Sequence, residues 1–149
     1  MIIDELSSTH PDWLTVSEEV ATVSWRAGQS LADKMSNSSF SDWERVIIAR
    51  SDNYELMGFC TVTREDGLTN SLITPFIGYV FVEEAYRGNR VSEKLIHHAE
   101  CYLRGLNFTE SYLVSGEVGL YEKYDYQKIR LVETVSGEKE GLYKKDLSI

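Results

Sequence analysis

The chain has 149 residues, 24 of them acidic and 15 basic, for a formal net charge of −9. That length fits one domain over residues 1–149, able to bury roughly 68–70% of the surface its unfolded form exposes. The charge argues against nucleic acid or an anionic membrane as the main partner and suits a cationic one, although acidic surfaces also serve solubility alone.

Thr15-Val-Ser-Glu18 has capping-box spacing, and Trp13, Val16, Val20, Val23, Ala27 and Leu31 recur around it at intervals of three and four residues. A helix is predicted over 16–34, broken or bent by Gly28 into two shorter helices that meet near the corner at Trp25. The polar run 36–39 reads as a loop, 45–50 as a strand, Asp52-Asn53 as a turn and 55–63 as the next strand. Asp66-Gly67 is a hairpin-type turn signal that leads toward a strand over 76–82. That strand is apolar almost without alternation, as expected of a central strand covered on both faces, and the three strands should be antiparallel neighbours. Between Arg90 and Arg104, the residues Val91, Leu95, Ile96, Ala99, Tyr102 and Leu103 fall on one arc of a helix, with Glu93, Lys94, His97 and Glu100 opposite and Gly105 ending it at the C′ position. A short strand at 111–114, a short helix at 117–123 and a hairpin of 126–134 with 141–147 across Ser136-Gly137 complete the chain. The unit from 76 to 114 should pair its two strands in parallel through a right-handed crossover, inside an otherwise antiparallel sheet.

The junction at 82–95 carries the chemistry. A basic turn containing Gly88 opens an amphipathic helix, whose first backbone N–H groups lack intrahelical partners and face forward with the positive end of the helix dipole. Arg87 and Arg90 add charge, and Gly88 lets the backbone pass close to a ligand, so this is a candidate phosphate site. Solvated arginines on an ordinary turn are the competing reading. Cys60 and Cys101 stand far apart, and neither Cys-x-x-Cys nor His-x-x-x-His spacing occurs, so reduced thiols and no metal are expected. The N-terminus has no basic segment ahead of an apolar run, and no stretch approaches the roughly 20 apolar residues of a membrane span, which predicts a cytoplasmic protein without a membrane partner.

The order Arg87, Arg90, Ser92 resembles motif A of the GNAT superfamily of acyl-CoA-dependent N-acetyltransferases, in which Arg or Gln is followed after two residues by Gly and then by Gly or Ala. Further on, the run from Gly119 to Tyr126 is similar to the family's later Leu-Tyr-x-Lys-x-Gly-Phe signature, and the resemblance covers about residues 42 to 147. It departs at 90 and 92, where Arg and Ser replace glycines, and at 125, where Asp replaces the helix-ending glycine. The first change is accommodated if 90–92 already form helix at negative φ; Asp125 can adopt the left-handed conformation itself.

The resemblance implies a GNAT-type α/β fold: a mostly antiparallel twisted sheet with one parallel, splayed strand pair and helices on both faces. It implies acetyl-CoA as cofactor, its pantetheine arm against the backbone of Val80 and Val82 and its pyrophosphate on the amides of Arg87, Gly88, Asn89, Arg90, Val91 and Ser92. Tyr121 takes the position of the acid that protonates the leaving thiolate, with Tyr124 and Tyr126 as rival phenols and simple packing as the competing role. For the base, Glu83 is taken from among Glu83, Glu84, Glu55 and Asp52, with loss of the amine's proton through water as the alternative, while His97 and His98 read as packing or capping residues. Trp25, Trp43 and Tyr79 could line an acceptor cleft or belong to the core. The expected activity is acetyl transfer from acetyl-CoA to a primary amine of a small molecule or protein, possible as a homodimer. The alternative is a catalytically degenerate acyl-CoA-binding sensor or scaffold, motivated by Arg90 and Ser92 in place of glycines.

Overall fold

A computed structural model describes residues 1–68 and 72–148. In chain order the elements are β1 (Ile2–Leu6), α1 (Trp13–Ala21), α2 (Ala27–Ser36), β2 (Arg45–Arg50), β3 (Leu56–Thr63), β4 (Phe76–Val82), α3 (Val91–Gly105), β5 (Glu110–Ser115), β6 (Gln127–Glu133) and β7 (Lys139–Asp146). The strands form a single sheet in the order β1-β2-β3-β4-β5-β7-β6, antiparallel throughout except between β4 and β5. The mixed α/β architecture expected of the GNAT fold is therefore present, with α1 and α2 on one face and α3 on the other.

β2 shows how one strand serves both layers. Its alternation sends Val46 and Ile48 under α1 and α2, where they meet Val16, Val20, Leu31 and Met35. Ile47 and Ala49 point the other way, to Leu95, Ile96, Ala99 and Leu103 of α3. All four strand residues are buried, each large one contributing roughly 1.5–3 kcal/mol of transfer free energy. The near-unbroken apolar run of β4 has the same cause, since Phe81 joins the first cluster and Ile77 the second.

Several boundaries differ from the sequence expectation. β1 carries no alternation that would announce it, and of its residues only Leu6 is buried, yet it pairs with β2 from Val46 to Arg50. α1 starts at Trp13 behind Asp12, two residues before the expected cap at Thr15, because the Trp13 indole is buried and donates to the Met35 carbonyl at 3.0 Å. The break between helices falls at Thr22–Arg26. Gly28 lies inside α2, where a β-carbon would sit 2.6 Å from the Val20 carbonyl oxygen; it is a close-packing point between the helices rather than a breaker. α3 runs through Gly105, and Asn107 at φ 70° takes the left-handed position behind it. The expected helix at 117–123 is a single 3₁₀ turn, Tyr121–Tyr124, ended by Asp125 at φ 70° as anticipated.

Candidate active site

β4 and β5 share one register pair, Phe76 with Tyr112, and then separate. Next to that seam β4 bulges: Thr61 opposes Gly78 and Phe59 opposes Phe81, so Tyr79 and Val80 together face Cys60, with Tyr79 at φ 49°. The bulge shifts the parity of the strand. Glu83 N–H donates to the Met57 carbonyl at 2.8 Å, toward β3, so the backbone groups of Val82, and by alternation of Val80, face the open side. A cleft of about 1000 Å³ fills the gap, bounded by the splayed strands, the turn before α3, the corner between α1 and α2, and the loop joining β6 to β7.

At one end lies the basic turn. Val80, Val82, Arg87, Gly88, Arg90, Val91 and Ser92 all line the cleft, whereas Asn89 does not and instead donates through Nδ2 to the Tyr86 carbonyl at 3.1 Å. Gly88 has φ 87° and open space where a side chain would be, so the backbone here is accessible. Arg90 is itself left-handed, at φ 59°, and α3 begins only at Val91. The expectation that 90–92 are helical at negative φ is thus corrected: Arg90 holds the conformation that a glycine favours, at a cost of about 1–2 kcal/mol. The amides ahead of Lys94, whose N–H is the first to bond back to Arg90, remain free to meet an anion. The Arg87 guanidinium turns inward, its Nε donating to the Val82 carbonyl at 3.1 Å, and ties the turn to the end of β4.

Tyr121 lines the cleft between this end and the next, only 6% exposed and ringed by Tyr124, Tyr126 and Tyr143 with centroids 6.0–6.5 Å away. Burial, with the nearby Glu117 carboxylate, raises its pKa well above that of an ordinary phenol, so its proton is retained at neutral pH and available for donation. The rival phenols are engaged: Tyr124 with Ser92 Oγ at 2.9 Å, and Tyr126 with Glu100 and Ser111 at 2.9 and 2.6 Å beneath α3.

The far end is acidic and aromatic. Trp25 stacks on Phe81, 3° from parallel at 5.6 Å, and meets Tyr79 edge-on; Trp25 and Tyr79 line the cleft. Three carboxylates line it too: Asp66, Glu117 and Glu140. Asp66 enters from the β3–β4 connection and occupies the space a side chain on residue 78 would need. Burial raises its pKa to about 6, against an opposing pull from Lys34 and with a further push from Glu140. Glu140 is also raised, by burial and by Glu138, while the Gly116 amide partly offsets this. Among the described residues, the only cations on the lining are Arg87 and Arg90 at the other end.

The remaining candidates sit elsewhere. Glu83 and Glu84 are outside the lining, Glu55 accepts from the Tyr86 hydroxyl at 3.2 Å, and Asp52 pairs with the N-terminal amine at 3.2 Å. His98 pairs with Glu5, His97 lies 3.6 Å from Cys101 Sγ, and Trp43 packs on Phe108. Asp66, Glu117 and Glu140 were not singled out in the sequence, where Asp66-Gly67 reads only as a turn. No group of His, Cys, Asp and Glu among the described residues could hold a metal ion.

Comparison with known proteins agrees with this fold. Residues 42–128 match the family model for the acetyltransferase (GNAT) domain. The fold is similar to that of an aminoglycoside 6'-acetyltransferase type Ii, at 19% identity and TM-score 0.74, covering 100% of this chain and 99% of that one. It is similar to an aminoglycoside 6'-N-acetyltransferase complexed with coenzyme A, at 16% identity, TM-score 0.72 and coverage of 100% and 98%. A spermidine/spermine N-acetyltransferase from Vibrio cholerae gives 14%, 0.66, and coverage of 99% and 95%. A search of curated proteins by sequence found no match. With the family model spanning more than half its length, and a strand-turn-helix site at the centre of that span, the chain belongs to the GNAT acetyltransferase family.

Proposed function

We propose that the protein is an N-acetyltransferase, a single domain over residues 1–149, that moves an acetyl group from acetyl-CoA directly to a primary amine of a small cationic acceptor. The division of charge along the cleft carries the reading: Arg87, Arg90 and the free amides of α3 at one end, Asp66, Glu117 and Glu140 at the other, with Tyr121 between. The first end suits a pyrophosphate, the second an ammonium beside the Trp25 and Tyr79 rings.

A thioester is already activated, so holding amine and carbonyl in contact supplies most of the acceleration. The open backbone of Val80 and Val82 orients the donor, and the amides of the 87–92 turn anchor its phosphates. Tyr121 holds a proton at the point where a thiolate would depart. No cysteine lines the cleft among the described residues: Cys60 is buried beneath α3 and Cys101 lies on the outside of that helix, so a covalent intermediate has no thiol nucleophile. Free thiols suit the reducing cytoplasm, and no helix among the described residues is long and apolar enough to cross a membrane.

Calorimetric titration with acetyl-CoA, followed by a thiol-release assay over polyamines, aminoglycosides and amino-terminal peptides, tests the reading. Saturable one-site binding, weakened about tenfold or more by Ser92→Glu, with CoA released most readily by polycationic amines, is expected. Binding without release by any amine would instead favour a sensor or scaffold.

A further inference from the structure

We infer that Asp66 is the general base of the transfer, brought to the acceptor end of the cleft by the β3–β4 connection through space that Gly78 leaves open. The inference rests on the acetyl-transfer reading above. Three carboxylates line the cleft, and two have other circumstances. Glu117 is exposed; Glu140 is held by the Gly116 amide. Asp66 lies against the bulged stretch of β4, its carboxylate in the space over Gly78 next to Tyr79 and Val80. Gly78 is what admits it: a β-carbon at that position would collide with both carboxylate oxygens, so the strand has given up its own side chain to a group from the adjoining loop. Trp25 and Tyr79 wall the same end, leaving the carboxylate beside the place where an amine meets the donor's carbonyl.

The charged groups acting on Asp66 are Lys34 from α2 and Glu140 from β7, and burial outweighs both. Its pKa of about 6 leaves it ionised at neutral pH yet more basic than a solvated aspartate.

An acceptor arriving as an ammonium first gives one proton to water. The nitrogen lone pair of the free amine then attacks the thioester carbon; a C–N bond forms and the C–S bond breaks, its electron pair leaving on sulfur. Asp66 takes the proton that the nitrogen sheds as it becomes an amide, and the Tyr121 phenol gives a proton to sulfur. Exchange with water restores both side chains, and the products are the N-acetyl amide and the free thiol.

The test compares wild type, Asp66→Asn, Gly78→Ala and the double variant Asp66→Gly with Gly78→Asp. For the best amine of the panel, kcat/KM in the wild type should rise with pH through a limb near 6. Asp66→Asn should lose about 10²-fold or more and flatten that limb while binding acetyl-CoA within about twofold of wild type. Gly78→Ala, which forces the carboxylate aside, should fall in the same direction. The double variant, which returns a carboxylate to the same space from the strand, should recover about tenfold over Asp66→Asn together with an ascending limb. An Asp66→Asn enzyme with wild-type rate and limb overturns the inference, as does a loss matched by an equal loss of acetyl-CoA affinity. A wild type that acetylates no amine refutes the underlying transfer reading, a result distinct from an active Asp66→Asn variant.

Discussion

Asp66→Asn should make the protein more stable at neutral pH. Folding takes the Asp66 carboxyl from an ordinary pKa of 3.8 to about 6, chiefly because burial penalises its charged form. Well below pH 3.8 the group is protonated in the folded and the unfolded chain alike, and the difference costs nothing. Between about 4 and 6 the folded chain keeps a proton that the unfolded chain has released, so stability falls as pH rises through that window and stays lower above it. A shift of about two units, at about 1.4 kcal/mol each, sets an upper bound near 3 kcal/mol. Because the group lines an open cleft and water reaches part of it, a gain of about 1–3 kcal/mol is expected for the neutral isostere. Urea denaturation followed by circular dichroism from pH 4 to 8 gives the comparison directly. The difference between the two proteins should be small at pH 4, open toward pH 6 and then hold level; carboxylates that do not act on Asp66 cancel in the subtraction. Equal stability at pH 7, or parallel curves throughout, would refute the reasoning.

Arg90→Gly should raise the melting temperature by about 2–3 °C, since relief of about 1–2 kcal/mol at its left-handed φ of 59° exceeds the 0.5–1 kcal/mol of added glycine entropy. Arg90→Ala, which keeps the strain, should give no gain in the same thermal scan. Tyr121→Phe should lower kcat about 10²-fold and leave the calorimetric affinity for acetyl-CoA within about twofold; an unchanged kcat would remove Tyr121 from the acid's role. Lys145→Met strips Glu100, 2% exposed, of its ion-pair partner at 3.0 Å and should cost about 3 kcal/mol in urea, most of it recovered by adding Glu100→Leu.

What could be read in advance followed from periodicity and from local backbone chemistry. The α3 arc of Val91, Leu95, Ile96, Ala99 and Leu103 is buried as its spacing implied, and Asp125 ends the 3₁₀ turn in the left-handed conformation anticipated for it. The basic turn ahead of α3 was legible as a turn because its signal is a contiguous run of residues. Arg90 was misjudged because the preference of a residue type does not override the geometry the turn needs; the chain accepts the strain instead. Gly28 was misjudged for a related reason. A glycine in a helical pattern can mark a break or a close approach, and only the Val20 carbonyl across the helix pair distinguishes them. Asp66 was out of reach altogether, because its meaning comes from Gly78, twelve positions further on, whose missing side chain leaves the space that the carboxylate fills. Glu83 was favoured for standing at the end of β4; it lies next to the cleft's strand but outside the lining.

The single bridge between Phe76 and Tyr112 leaves the sheet as two blocks, β1 to β4 and β5 to β7, sutured at one point and splinted by α3. Most amides at the centre of a seven-stranded sheet exchange with deuterium only on global unfolding, yet those of Val80 and Val82 face no neighbouring strand and should exchange as quickly as a loop. A molecule lying along that rim would close the suture like a missing strand. Its arrival should therefore be felt as slowed exchange on both banks of the gap, at Val80 and Val82 and at the far residues of β5, and as a rise in melting temperature that tracks its concentration.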